Sequence, residues 1–198
     1  MAGGSALAVT GPNGSGKSTM GLTLGGLLAP LAGTLDASGL AAGLGSDPYR
    51  WKSRELVSRI GSVFQDPEHQ FLAATVREEL AVGPRVLKLT RAEIATQVEV
   101  LAERLRLTAL LAANPFTLSG GEKRRLSVAT ALITRPPLII VDEPTFGQDS
   151  RTWAELVRIF AELLDAGSAL VAITHDAAFV TALADSELVL AARPEVRQ

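Results

Sequence analysis

Residues 11–18 read Gly11-Pro12-Asn13-Gly14-Ser15-Gly16-Lys17-Ser18, with Thr19 next, and satisfy the pattern G-x-x-x-x-G-K-[ST]. Before them lies a short apolar run, residues 5–10 (SALAVT), and after them an apolar helical pattern. That is the strand–loop–helix order a phosphate cradle requires. The glycines let backbone N–H groups curl around phosphate oxygens, Lys17 reaches the outer phosphates, and the Ser18 hydroxyl can ligate Mg²⁺. The helix that follows aims its positive end at the same anion.

Outward from this loop, apolar runs alternate with helical patterns. Residues 56–64 read as a helix end running into a strand. Residues 138–141 (LIIV) and 169–173 (ALVAI) read as buried parallel strands, and residues 187–191 as a last strand. Residues 90–107 form an amphipathic helix with Ile94, Val98, Leu101 and Leu105 on one stripe, opened by a Thr90/Glu93 capping box. A second capped helix starts at Ser119 and runs to Arg135, where Pro136-Pro137 stop it. Residues 150–166 form a helix closed by Gly167, and residues 176–184 a short one. Strands alternating with helices predict a parallel α/β sheet.

Composition narrows the function classes. A net charge of −2 over 198 residues gives no electrostatic reason for a nucleic-acid partner. With no cysteine there is neither a disulfide framework nor a thiolate zinc site. The longest apolar-rich stretch, residues 22–35, is broken by Gly25, Gly26, Pro30 and Gly33 and is too short to span a bilayer. No basic n-region precedes an apolar stretch, so no signal peptide is expected. A membrane role would have to come through a partner.

Three further sites carry chemistry. Asp142 and Glu143 end the apolar run at 138–141. An Asp there, on a strand expected beside the P-loop strand, can hold Mg²⁺ through water, and Glu143 can polarise an attacking water as general base. Alone, two acids after a strand would be a solvated loop; the P-loop makes the functional reading the better one. His175 follows the run at 169–173. In an open α/β sheet the carboxyl ends of the strands line the ligand crevice, within reach of a γ-phosphate. Ser119-Gly120-Gly121 opens a helix and offers N–H groups and a hydroxyl to an anion. A second phosphate site in one chain makes sense if two subunits face each other. His69 reads as a solvated loop residue, and Lys123, Arg124 and Arg125 as an exposed helix face without chemistry.

Together these residues resemble a known family. Residues 11–19, Gln65, 118–122, 138–143, Asp149 and His175 look like the Walker A, Q-loop, signature, Walker B, D-loop and H-loop of an ABC ATPase, in the family's order and over nearly the whole chain. Residues 63–71 (VFQDPEHQF), 75–80 (TVREEL) followed by Gly83-Pro84, and 143–149 (EPTFGQD) resemble the energy-coupling-factor (ECF) importers of vitamins and transition-metal ions. The resemblance implies a single ABC ATPase domain over residues 1–198. Its fold would be a P-loop NTPase (RecA-like) parallel sheet core, with a helical signature subdomain inserted at roughly 75–135. It also implies a head-to-tail dimer around two ATP–Mg²⁺, with itself or a related ATPase.

In that assembly Gly11, Pro12, Asn13, Gly14, Ser15, Gly16, Lys17, Ser18 and Thr19 would hold ATP, with Ser18, Gln65 and Asp142 on the metal. Glu143 would be the base and His175 the γ-phosphate contact, with Lys17 and Gln65 also in the catalytic set. Leu118, Ser119, Gly120, Gly121 and Glu122 would close the partner's nucleotide, and Asp149 would link the subunits. The implied partners are a transmembrane coupling protein and a substrate-binding membrane protein at the cytoplasmic face of the membrane. The alternatives are a nucleotide-sensing assembly module with little turnover and a soluble ABC ATPase. The second is disfavoured by a single amphipathic helix with no heptad run between Walker A and signature. Two features depart from the family pattern. Only ten residues precede Gly11 and the first aromatic is Tyr49, so part of the N-terminal β region with its adenine-stacking aromatic is expected to be lacking, as are C-terminal strands. Thr130 also stands where an arginine is more usual.

Overall fold

The structure, a computed structural model, describes residues 1–191. Its elements in chain order are β1 (Ala6–Thr10), α1 (Lys17–Leu24), α2 (Ser38–Ala41), α3 (Ser53–Val57), β2 (Ile60–Val63), α4 (Val76–Val86), α5 (Arg91–Arg104), α6 (Gly120–Leu132), β3 (Leu138–Asp142), α7 (Ser150–Asp165), β4 (Ala169–Ile173), α8 (Ala177–Leu183) and β5 (Ser186–Val189). The five strands form one sheet in the order β2-β3-β4-β1-β5, and every pairing in it is parallel. This is the expected α/β architecture, with one correction. β3 does not lie beside β1; β4 is inserted between them, pairing Ala8 with Ala172 on one side and Ile139 with Leu170 on the other. All five residues of β4 are buried and none is charged, so the central position gives this strand partners on both edges and cover on both faces.

Strand residues alternate between two cores, as the two-residue period of a strand dictates. Ile139, Val141, Leu170 and Ala172 face Leu126 of α6 and Leu156 and Phe160 of α7. Val9, Ile140, Val171 and Ile173 face the opposite side, with Trp51 and Met20. On that side α1 lies so close that a Cβ on Gly21 would sit 2.6 Å from Ile173 Cδ1, which is why the helix carries glycine there.

Between β2 and β3 the chain builds the helical layer α4 to α6. α5 and α6 start where the capping boxes predict. Thr90 N–H donates to Glu93 Oε2 at 2.7 Å, and Ser119 N–H to Glu122 Oε2 at 2.8 Å. Sequence patterning did not bring out α4, because Pro84 lies inside it. The helix passes through Pro84 because Val76, Leu80, Ala81 and Pro84 are buried together, and packing outweighs the lost N–H. Arg104 of α5 ties this layer to α7 through Glu155 and Glu162, both at 2.7 Å. Among the described residues no helix is long and apolar enough to cross a membrane.

Candidate active site

A parallel sheet puts all strand carboxyl ends on one edge, and four loops meet there. The loop after β1 is the glycine loop. Gly11, Gly14 and Gly16 have φ of +135°, +77° and +97°, a region L-residues avoid. A Cβ on Gly11 would lie 2.3 Å from Leu190 O of the segment after β5, so no side chain fits. Lys17, in the first turn of α1, is 8% exposed. Its Nζ donates to Gly11 O at 2.7 Å and Pro12 O at 2.9 Å, which fixes the ammonium inside the loop. Ser15 Oγ is buried there without a hydrogen-bond partner. An orphaned hydroxyl in a loop of left-handed glycines suits an anion with several oxygens.

The other three loops complete a cavity of about 660 Å³ lined by Asn13, Lys17, Ser18, Thr19, Gln65, Arg124, Asp142, Glu143, Phe146 and His175, among others. Gln65 comes from the loop after β2, Asp142 and Glu143 from the end of β3, and His175 from the residues after β4. Glu143 has φ +51°, and this left-handed turn aims its carboxylate across to β4. Oε1 accepts the His175 N–H at 3.0 Å, and Oε2 accepts the Thr174 hydroxyl at 3.2 Å. His175 Nε2 lies 4.0 Å from Oε1. The hydroxyl of Ser18, the amide of Gln65 and the carboxylate of Asp142 line the same cavity as hard oxygen donors. That donor set suits Mg²⁺, which takes one or two protein oxygens and keeps waters or phosphate oxygens for the rest. Among the described residues no group of three or more His, Cys, Asp or Glu forms a closed metal cage.

The profile described as ABC transporter matches residues 1–146. The chain belongs to the ABC transporter family. The putative HMP/thiamine import ATP-binding protein of Bacillus subtilis is 42% identical over 94% of this ABC chain and 32% of its own length. The energy-coupling factor transporter ATP-binding protein EcfA of Methanothermobacter thermautotrophicus is 35% identical over 94% of the chain and 59% of its own length. The chain thus spans about a third of the first relative and less than two thirds of the second. A dimeric ATP-binding cassette solved in a post-hydrolysis state with ADP and Pi superposes with a TM-score of 0.80 at 26% identity, covering 94% of this chain and 81% of that one. The fold is that of the ABC cassettes, a P-loop α/β sheet with helices.

Not every residue of the ABC motifs reaches the cavity. Leu118 is buried under α6, while Ser119 to Glu122 form the capped first turn of that helix away from the glycine loop. Gln148 braces this turn: its Nε2 donates to Gly121 O at 3.3 Å, and its Oε1 accepts from Arg125 Nη1 at 3.4 Å. Asp149 caps α7, accepting from Arg151 N–H at 3.0 Å, Thr152 N–H at 3.1 Å and the Thr152 hydroxyl at 2.8 Å. The bonds from Thr152 hold its carboxyl below the usual range.

Arg124 corrects the reading of an exposed basic face. It is 6% exposed and reaches the cavity wall. Burial lowers its pKa, opposed by the charges of Asp142, Glu143 and Asp66. Nothing in the local pattern marks it, since it is one of three consecutive basic residues and only packing selects which turns inward. Phe146, 73% exposed at the cavity wall, is equally silent in the sequence. His69 does stand in solvent, as its polar neighbours suggest.

Proposed function

We propose that this chain is the ATP-binding and ATP-hydrolysing subunit of an ECF-type importer of vitamins or metal ions, working as one of two ATPase subunits arranged head to tail. One observation carries the reading: Lys17, Ser18, Gln65, Asp142, Glu143 and His175 come from the carboxyl ends of four separate strands and the segments that follow them, and line one cavity. The names of the relatives, HMP/thiamine import and energy-coupling factor, support the transport class.

In this reading residues 11–19 wrap the phosphates of ATP, Lys17 meets the β- and γ-phosphates, and the Ser15 hydroxyl finds its partner there. Ser18, Gln65 and Asp142 would hold Mg²⁺, which when bound neutralises charge on the phosphate oxygens. Glu143 orients the attacking water. As the water oxygen bonds to the γ-phosphorus, the bond to the β-phosphate oxygen breaks, ADP leaves, and the water proton passes to the Glu143 carboxylate. The His175 N–H and Thr174 hydroxyl keep that carboxylate in one place, and the His175 ring, half exposed, contacts the γ-phosphate.

Residues 1–198 act as a single domain, with the stretch at about 75–135 presenting the signature. Ser119, Gly120 and Gly121 lie outside their own chain's cavity, so they close the nucleotide of a facing subunit, a second copy or a related ATPase, with Asp149 beside that contact. A transmembrane coupling protein and a substrate-binding membrane protein are the partners, at the cytoplasmic face of the membrane.

The test is steady-state phosphate release by the chain co-purified with its transmembrane partner, with Lys17→Ala as control. We expect Mg-dependent turnover that Lys17→Ala abolishes along with ATP binding. An assembled complex that binds Mg·ATP but releases no phosphate would instead identify a nucleotide-sensing assembly module.

A further inference from the structure

The Arg124 guanidinium sits among three main-chain carbonyls. Nη1 donates to Phe64 O at 2.6 Å and Asp142 O at 3.2 Å, and Nη2 donates to Gln65 O at 2.5 Å. Phe64 and Gln65 leave β2, while Asp142 ends the neighbouring strand β3, whose Val141 pairs with Val63. Three carbonyl dipoles converging in a space with little water repel one another and lack donors. A guanidinium satisfies all three at once from two nitrogens held in a rigid, planar fork, whereas an ammonium would have to reach them from a single, freely rotating nitrogen.

Two of the three carbonyls belong to residues whose side chains line the cavity, Gln65 and Asp142. The third wall of this arrangement is α6 itself, the helix that begins at Ser119. α6 also grips the same loop further along. Lys123 pairs with Glu68, and the Ser127 hydroxyl donates to Gln70 Oε1. Gln70 in turn accepts from Phe64 N–H at 3.1 Å and donates to Ser62 O at 3.0 Å.

We propose that Arg124 is a positioning residue: through the main chain of Gln65 and Asp142 it sets the two cation-side oxygens relative to Ser18 and ties them to the signature helix. This rests on the reading above, in which Ser18, Gln65 and Asp142 face a divalent cation held with the nucleotide. Arg124 itself touches neither. It therefore governs affinity for the cation more than affinity for the nucleotide, whose main holdings are the glycine loop and Lys17. It also links the cation side of one site to the helix start that faces the other.

The experiment compares the native full chain with Arg124→Met and Arg124→Lys. Binding of a fluorescent ATP analogue is measured in EDTA. Binding of Mn²⁺, a spectroscopic stand-in for Mg²⁺, is then measured by electron paramagnetic resonance with saturating non-hydrolysable ATP analogue. Removing a group that orients metal ligands weakens metal binding by about 10–100-fold, and that rise in the Mn²⁺ dissociation constant is expected for Arg124→Met. Nucleotide affinity in EDTA should stay within about twofold of native, because the glycine-loop contacts are untouched.

Arg124→Lys keeps the charge and loses the fork, so an intermediate rise of about threefold or more is expected. It gives the same comparison if the Met protein does not fold. Native Mn²⁺ affinity in either folded variant overturns the proposal. So does a parallel loss of nucleotide affinity in EDTA, which would make Arg124 a general packing residue. A native chain that binds the nucleotide but no Mn²⁺ refutes instead the cation reading on which the proposal rests.

Discussion

Replacing Glu143 by glutamine separates chemistry from folding in this site. The substitution keeps side-chain shape and the left-handed backbone at φ +51°, and changes one oxygen to an NH₂ group. The remaining oxygen can still accept the His175 N–H, now at 3.0 Å. The NH₂ group can donate to the Thr174 hydroxyl, which now lies 3.2 Å from Oε2 and already accepts the Asp176 N–H. The Thr174 hydroxyl proton loses its partner in a fully buried residue, at a cost of about 1–3 kcal/mol. For a chain of this size that is a fall in Tm of about 2–12 °C, which leaves the fold to be checked by the same melt. Chemistry fares differently, because an amide cannot take the water proton. A positioned general base contributes about 10²–10⁴ in rate, or about 3–5 kcal/mol of barrier. The assay is single-turnover phosphate release by the assembled subunit, with nucleotide affinity and Tm measured in parallel. Turnover within about threefold of native, with fold and affinity intact, would refute the assignment, since a base worth at least 10² cannot be lost so cheaply.

Three further outcomes test the structure away from the chemistry. Leu126 is fully buried between the helical layer and the sheet, so Leu126→Ala should cost about 2–5 kcal/mol and lower the urea midpoint by about 1 M or more. Thr90→Ala removes the cap of α5, where Thr90 Oγ1 accepts the Glu93 N–H at 3.3 Å, and should lower stability by about 1 kcal/mol, read as a drop of about 2–4 °C in Tm. Burial pushes the Asp176 carboxyl up. Hydrogen bonds from Trp153, Phe179, Thr145 and Ala178 outweigh it, so the folded pKa lies below the ordinary value. Its stabilisation is therefore present above the unfolded pKa of about 4 and is lost as pH falls through the lower folded value. Denaturation titrations from about pH 5 to pH 2 should show a steeper loss for the native chain than for Asp176→Asn.

Local chemistry was legible wherever its determinants lie a few residues apart. The glycine loop, the capping boxes at Thr90 and Ser119, and the apolar runs of β3 and β4 each carry their signal within one turn or one strand. For that reason the glycine loop, the acids at 142 and 143 and the histidine at 175 stand out in the sequence alone. The helix start at Ser119 does not line the cavity of its own chain, and its service to a second subunit belongs to the proposal above.

What only the tertiary structure decided are matters of neighbourhood. β1 and β3 are not adjacent as the sequence suggests, because strand order depends on which strand can be buried from every side, and β4 takes the centre. The course of α4 through Pro84 was hidden because packing of Val76 and Leu80 against the core outweighs a local helix breaker. Among three consecutive basic residues, only Arg124 is buried, and its three carbonyl partners come from segments 59, 60 and 18 residues away. A sequence states which groups are available within reach of their own turn. Long-range folding alone selects which of them lose water and must find partners.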